Sequence, residues 1–130
     1  MNDYNLEDRI KFIGKIPNYE LRSHLKQADL ALGSFGIHGG TDHGSSIKTK
    51  EYFAYGMPFL NGWKEYAFDD TYPYVKRFDV YSKKIDFQEV DEFVSFLNSK
   101  KNVYRKEMRN FAEKKFSLEQ QFKKIFDSIE

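Results

Sequence analysis

Lys48 and Glu51 stand three residues apart, just after a glycine-rich stretch at residues 34–45 that contains Gly36, Gly39, Gly40 and Gly44. On a helix these two positions share a face. The start of such a helix leaves the N–H groups around Ser46, Ile47 and Lys48 without intrahelical partners, at the positive end of the dipole. That combination suits an anion such as a diphosphate. A lysine in the first turn opposes the helix dipole, and a bound anion would remove that conflict. Glu51 offers two acceptor oxygens, suited to the adjacent hydroxyls of a diol. The competing reading is a surface Lys–Glu pair of little energetic consequence.

The flanking patterns say what must position these residues. Residues 10–14, Ile-Lys-Phe-Ile-Gly, read as a strand. Pro17 and Asn18 open a helix whose apolar face is Leu21, Leu25 and Ala28. Residues 29–33, Asp-Leu-Ala-Leu-Gly, form a nearly continuous apolar run, which suits a strand of a buried parallel sheet. A helix is expected over residues 46–55, capped by Ser45 or Ser46, with Gly56 at its end and Pro58 blocking continuation. Residues 57–60 and, more weakly, 79–81 read as further strands. This alternation predicts an α/β fold with a parallel sheet. The glycine-rich loop leaves the carboxyl end of a strand, where open α/β sheets bind ligands.

The last third reads as helix. Asp86 and Ser117 each begin a capping-box pattern. Val90, Phe93, Val94 and Leu97 make one apolar stripe. Tyr104, Met108, Phe111, Ala112 and Phe116 make a second, and Leu118, Phe122, Ile125, Phe126 and Ile129 a third. All three are expected to pack into the domain's own core. Trp63, Tyr66, Phe68, Tyr72 and Tyr74 are likewise expected mainly in the core or covering the sheet.

The same residues carry a family resemblance. Phe12-Ile13-Gly14-Lys15-Ile16-Pro17, then residues 25–29, then Ser46-Ile47-Lys48-x-x-Glu51-Tyr52-x-Ala54-x-Gly56-x-Pro58 resemble the C-terminal half of retaining GT-B glycosyltransferases of family 4, or group 1. The resemblance covers about residues 10–60. It implies a Rossmann-like parallel sheet with helices on both faces (residues 10–82) and a helical C-terminal extension (83–130). It implies transfer of a sugar from a nucleoside-diphosphate sugar to an acceptor hydroxyl, without a cofactor or an active-site metal. Ser46, Ile47 and Lys48 would hold the donor diphosphate, Glu51 the ribose hydroxyls, and the backbone of Lys15 and Ile16 the edge of the base. The family's first glutamate falls on His43, which with Gly44 and Ser45 would face the donor sugar. No residues before Ile10 match the family's first strand and helix, with their Arg and Lys for the donor phosphates. The expectation is therefore an N-terminally truncated, single partial domain, completed by an acceptor domain in cis or in trans, with no catalytic residue assigned. An exposed sheet edge would then favour self-association.

Other chemistries fit less well. His38, Asp42 and His43 fall short of a zinc site in ligand number and support. Asp42, His43, Ser45 and Ser46 lack a nucleophile elbow, and Gly39-Gly40-Thr41 lacks the P-loop ending. The chain has 130 residues, no Cys and a net charge of +1. It thus lacks disulfides, thiolate metal sites and the basic excess that nucleic-acid binding normally needs. No apolar run approaches the roughly 20 residues of a membrane helix, and residues 1–9 do not resemble a signal peptide. The expected location is cytoplasmic, with peripheral membrane contact compatible with a full enzyme. The alternative function is a non-catalytic module that binds a nucleotide, an anion or a protein, or one subunit of a split transferase.

Overall fold

A computed structural model of the chain describes residues 6–36, 41–79, 81, 84–101 and 103–129. The elements run α1 (Asn18–Gln27), β1 (Ala31–Leu32), β2 (His43–Gly44), α2 (Ile47–Tyr55), β3 (Phe59–Asn61), β4 (Lys64–Glu65), β5 (Val75–Arg77), α3 (Phe87–Ser99), α4 (Tyr104–Phe116) and α5 (Leu118–Asp127). The fold is mixed α/β. β1, β3 and β5 form a parallel sheet with β3 in the centre, and β2 and β4 form a second parallel pair.

The central strand is covered on both sides. Phe59 and Leu60 point to opposite faces of the sheet, and both are buried. Above Phe59 lies an aromatic cluster centred on Phe53 of α2, whose ring meets Phe59, Phe68, Tyr72, Phe111 and Phe116. α4 packs along α2, burying Met108 and Ala112. α2 ends where Gly56 takes the left-handed conformation (φ 66°). Its N–H bonds to the Phe53 carbonyl, and the Met57 N–H reaches back to Tyr52. These two bonds satisfy carbonyls that the helix end would leave bare. A side chain at Gly56 would also meet the Arg105 carbonyl oxygen at 2.4 Å.

Three expectations are corrected. Residues 10–14 form no strand, and Phe12 is 78% exposed. A strand exists through its ladder, and no strand among the described residues lies beside this segment. The weak strand expected at 79–81 is displaced to β5, where Val75–Arg77 pair with β3; Val80 lies outside the described residues. The third apolar stripe does not enter the core. α5 turns Leu118, Phe122, Ile125 and Phe126 outward and none of its residues is buried; Ile129, just beyond it, is exposed as well. Its capping expectation does hold, since Ser117 accepts the Gln120 N–H, as Asp86 accepts that of Gln88 at α3. Among the described residues no helix is long and apolar enough to cross a membrane.

Candidate functional site

The carboxyl ends of β1 and β3 are tied together by one amide side chain. Asn61 is 1% exposed; its Oδ1 accepts the Ser34 N–H at 2.8 Å and its Nδ2 donates to the Trp63 carbonyl at 2.9 Å. The Gly62 N–H bonds to the Ser34 carbonyl at 2.8 Å. Gly33 has no room for a side chain here, because a Cβ would stand 2.3 Å from Asn61 Oδ1. The first turns of the two loops leaving the sheet are therefore held in fixed register.

α2 meets this rim through residues one turn apart. Lys48 Nζ donates to the Gly33 carbonyl at 3.0 Å, and the Tyr52 hydroxyl donates to the Leu32 carbonyl at 2.9 Å. Burial pushes the Tyr52 hydroxyl pKa up, and the Glu51 charge adds to that. Glu51 itself is exposed between them, and among the described residues no ion pair joins it to Lys48. Lys48 keeps two further N–H donors beyond its bond to Gly33.

The start of α2 is held by a carboxylate that the sequence did not single out. Ser46 occupies the N-cap position but makes no capping bond with its side chain. Instead Glu65, 3% exposed on β4, accepts the Ser46 N–H at 3.1 Å and bonds the Thr49 hydroxyl at 3.0 Å. Burial raises the Glu65 pKa; the Ser46 and Thr49 hydrogen bonds and the Lys50 charge work in the opposite direction. The protein thus places a carboxyl group of its own beside this positive helix end.

His43 and Gly44 form β2, paired with Lys64 and Glu65. His43 Nδ1 lies 2.8 Å from Asp42 Oδ1, and the Tyr81 hydroxyl donates to Asp42 Oδ2 at 3.0 Å. These two bonds, His43 first, hold the Asp42 carboxyl below its ordinary value, and the bond to Asp42 raises the Tyr81 hydroxyl pKa. The His43 ring sits 5.3 Å from that of Tyr66, and Trp63 Nε1 donates to the Gly36 carbonyl at 2.7 Å. A side chain on Gly44 would press on the Trp63 ring at 3.1 Å. The aromatic stretch therefore divides: Phe68 and Tyr74 are buried, whereas Tyr66 is exposed and Trp63 half-buried at this rim.

His43, Gly44, Ser45, Ser46, Ile47, Lys48 and Glu51 follow one another along β2, its exit and the first turns of α2. Lys15 and Ile16 lie in the segment leading into α1, and among the described residues no hydrogen bond links them to α2. His38, Gly39 and Gly40 fall outside the described residues. Among those described, no group of three His, Asp or Glu side chains is arranged to hold a metal ion. Asn61, Glu65 and Tyr81 were missed from sequence. A polar residue ending an apolar run just before Gly62 was a usable signal for Asn61. Glu65 and Tyr81 carried none, since their partners lie 16 to 39 positions away.

Comparison of the chain with protein-family models, with curated proteins and with solved structures finds no match.

Proposed function

We propose that this chain is the donor-nucleotide-binding part of a GT-B glycosyltransferase, transferring a sugar from a nucleoside-diphosphate sugar to an acceptor hydroxyl. The observation that carries this reading is the joint placement of Lys48 and Glu51. Both are exposed on α2, and Lys48 reaches the carboxyl end of β1. A ligand at that end would meet an ammonium group first and a carboxylate one turn later. In this reading the Lys48 ammonium and the N–H groups of Ile47 and Lys48 hold the diphosphate beside Ser46, whose own N–H is taken by Glu65, and Glu51 holds the ribose diol. Lys15 and Ile16 pass the base. His43, oriented by Asp42, reaches the sugar beside Gly44 and Ser45. Rate enhancement then comes from positioning and from stabilising the leaving diphosphate.

The sheet is read as the Rossmann-like core of a GT-B C-terminal half, with helices on both faces. Among the described residues β1 pairs only with β3, and Leu32 at its open edge is 60% exposed. In this reading the edge takes a further strand, and the acceptor site comes from another domain in cis or in trans.

Two observations favour a second reading, a module without transferase activity. Lys48 already has an acceptor in Gly33, and the Glu65 carboxyl group already takes the Ser46 N–H at the start of α2. Calorimetric titration with UDP, GDP and their sugars tests the donor site. The donor-site reading expects nucleotide binding that is weakened at least about tenfold in Glu51→Ala, the loss of roughly one charge-assisted hydrogen bond. Binding unchanged in that variant removes the ribose role from Glu51, and absence of nucleotide binding favours the second reading.

A further inference from the structure

A cleft of about 360 Å³ lies between α1, the C-terminal end of α2 and the first half of α4. It is lined by Arg22 and Lys26 from α1 and by Arg105 and Arg109 from α4, with Leu25 and Tyr55 among the other wall residues. Each cationic pair is spaced i, i+4 on its helix. Like charges at that spacing disfavour the helix that bears them. The arrangement therefore puts two self-repelling pairs across one opening. Among the described residues none of the four is in an ion pair, and no carboxylate lines the cleft. Glu113 lines a different cavity, which shares Arg105 and Arg109 with this one.

Local helix electrostatics account for only half of this. Lys26 sits in the last turn of α1, where a cation is favoured. Arg105 sits in the first turn of α4, where it is disfavoured. Arg105 is nevertheless fixed in place: its guanidinium donates to the Ala28 carbonyl at 3.3 Å and lies over the Tyr104 ring. A pre-oriented guanidinium opposite further cations suits an anion with several acceptor oxygens.

We propose that this cleft binds a phosphate group carried by a small molecule or by a lipid headgroup. The wall of Leu25 and Tyr55 would receive the less polar part of the ligand. A nucleic-acid strand is not the favoured occupant, because the net charge of the whole chain is only +1 and the cations are gathered in one cleft. The cleft is separate from the proposed donor site. It meets α2 at Ala54 and Tyr55, about 9 Å along the helix axis from Lys48.

The test uses the full chain and two probes: sodium pyrophosphate by calorimetry, and vesicles of phosphatidylcholine with and without phosphatidylglycerol by co-sedimentation. The variants are Arg22→Gln with Arg109→Gln, both exposed positions, and Lys114→Gln with Lys123→Gln as a charge-matched control at exposed positions outside both sites. Circular dichroism confirms folding. The expected result is binding of at least one probe, weakened tenfold or more in Arg22→Gln with Arg109→Gln and little changed in the lysine control. Pyrophosphate binding identifies a soluble phosphate as the source of the ligand. Binding only to the anionic vesicles identifies a headgroup. Binding of neither probe, or binding indifferent to the double variant, overturns the proposal. So does an equal loss in the lysine control.

Discussion

The Glu65 carboxylate accepts the backbone N–H of Ser46 at 3.1 Å, which places a buried acid at the first turn of α2. Two effects compete there. Desolvation disfavours the charged form, while the hydrogen bonds and the helix end favour it. Desolvation is the larger, so the folded chain holds this proton more tightly than the unfolded one.

The sign of the pH dependence follows. A carboxyl group with a raised folded pKa contributes stability that is fully present below its ordinary value, 4.5, and lost as pH rises through the raised value. In Glu65→Gln the plot of thermal midpoint against pH is expected to be flatter above pH 4.5 than in the parent. Parallel curves would show that Glu65 does not titrate in this window. Glu65→Leu leaves the Ser46 N–H without its partner. It is expected to cost about 1–3 kcal/mol in urea unfolding.

The rim of the candidate site depends on Asn61. Asn61→Ala removes the acceptor for the Ser34 N–H and the donor to the Trp63 carbonyl. A loss of about 1–3 kcal/mol is expected for burying unsatisfied groups. Gly33→Ala forces the same amide away and is expected to reduce nucleotide affinity together with stability, because both loops shift. An affinity unchanged in Gly33→Ala would separate the ligand site from this rim.

Phe53 and Phe126 make a contrasting pair. Phe53 is fully buried at the centre of the aromatic cluster, whereas Phe126 is 65% exposed. Phe53→Ala is expected to cost about 3–5 kcal/mol. Phe126→Ser is expected to stay within about 0.5 kcal/mol in the isolated chain. A large loss in Phe126→Ser would show that the apolar face of α5 is covered in solution, and analytical ultracentrifugation would then test for a second copy of the chain.

Gly56→Ala meets both a positive φ and the Arg105 carbonyl oxygen at 2.4 Å. A destabilisation above about 1 kcal/mol is expected, read as a fall in urea midpoint at unchanged slope. Because Arg105 also lines the basic cleft, the same variant is expected to weaken pyrophosphate binding there.

Local patterns were legible from sequence wherever the cause is local. The Gly56 stop of α2, the Asp86 and Ser117 caps and the stripes of α3 and α4 are dictated by residues within one or two turns. The parallel character of the sheet followed from the alternation of apolar runs and helical patterns. The placing of Lys48 and Glu51 on one helix also followed from spacing alone.

Tertiary structure decided what depends on distant partners. Residues 10–14 have the pattern of a strand but form none, because a strand needs a neighbour to complete its hydrogen bonds. α5 has the pattern of a core helix but leaves its apolar face outside, because amphipathicity states that a face needs cover and not what covers it. Glu65 reads as an ordinary surface acid and becomes the cap of α2, because its partners arrive from residues 46 and 49 through the fold. The pairing of Arg22 and Lys26 with Arg105 and Arg109 across one cleft is equally invisible in the chain order. Spacing reports the charges along each helix, and only packing brings the two helices together.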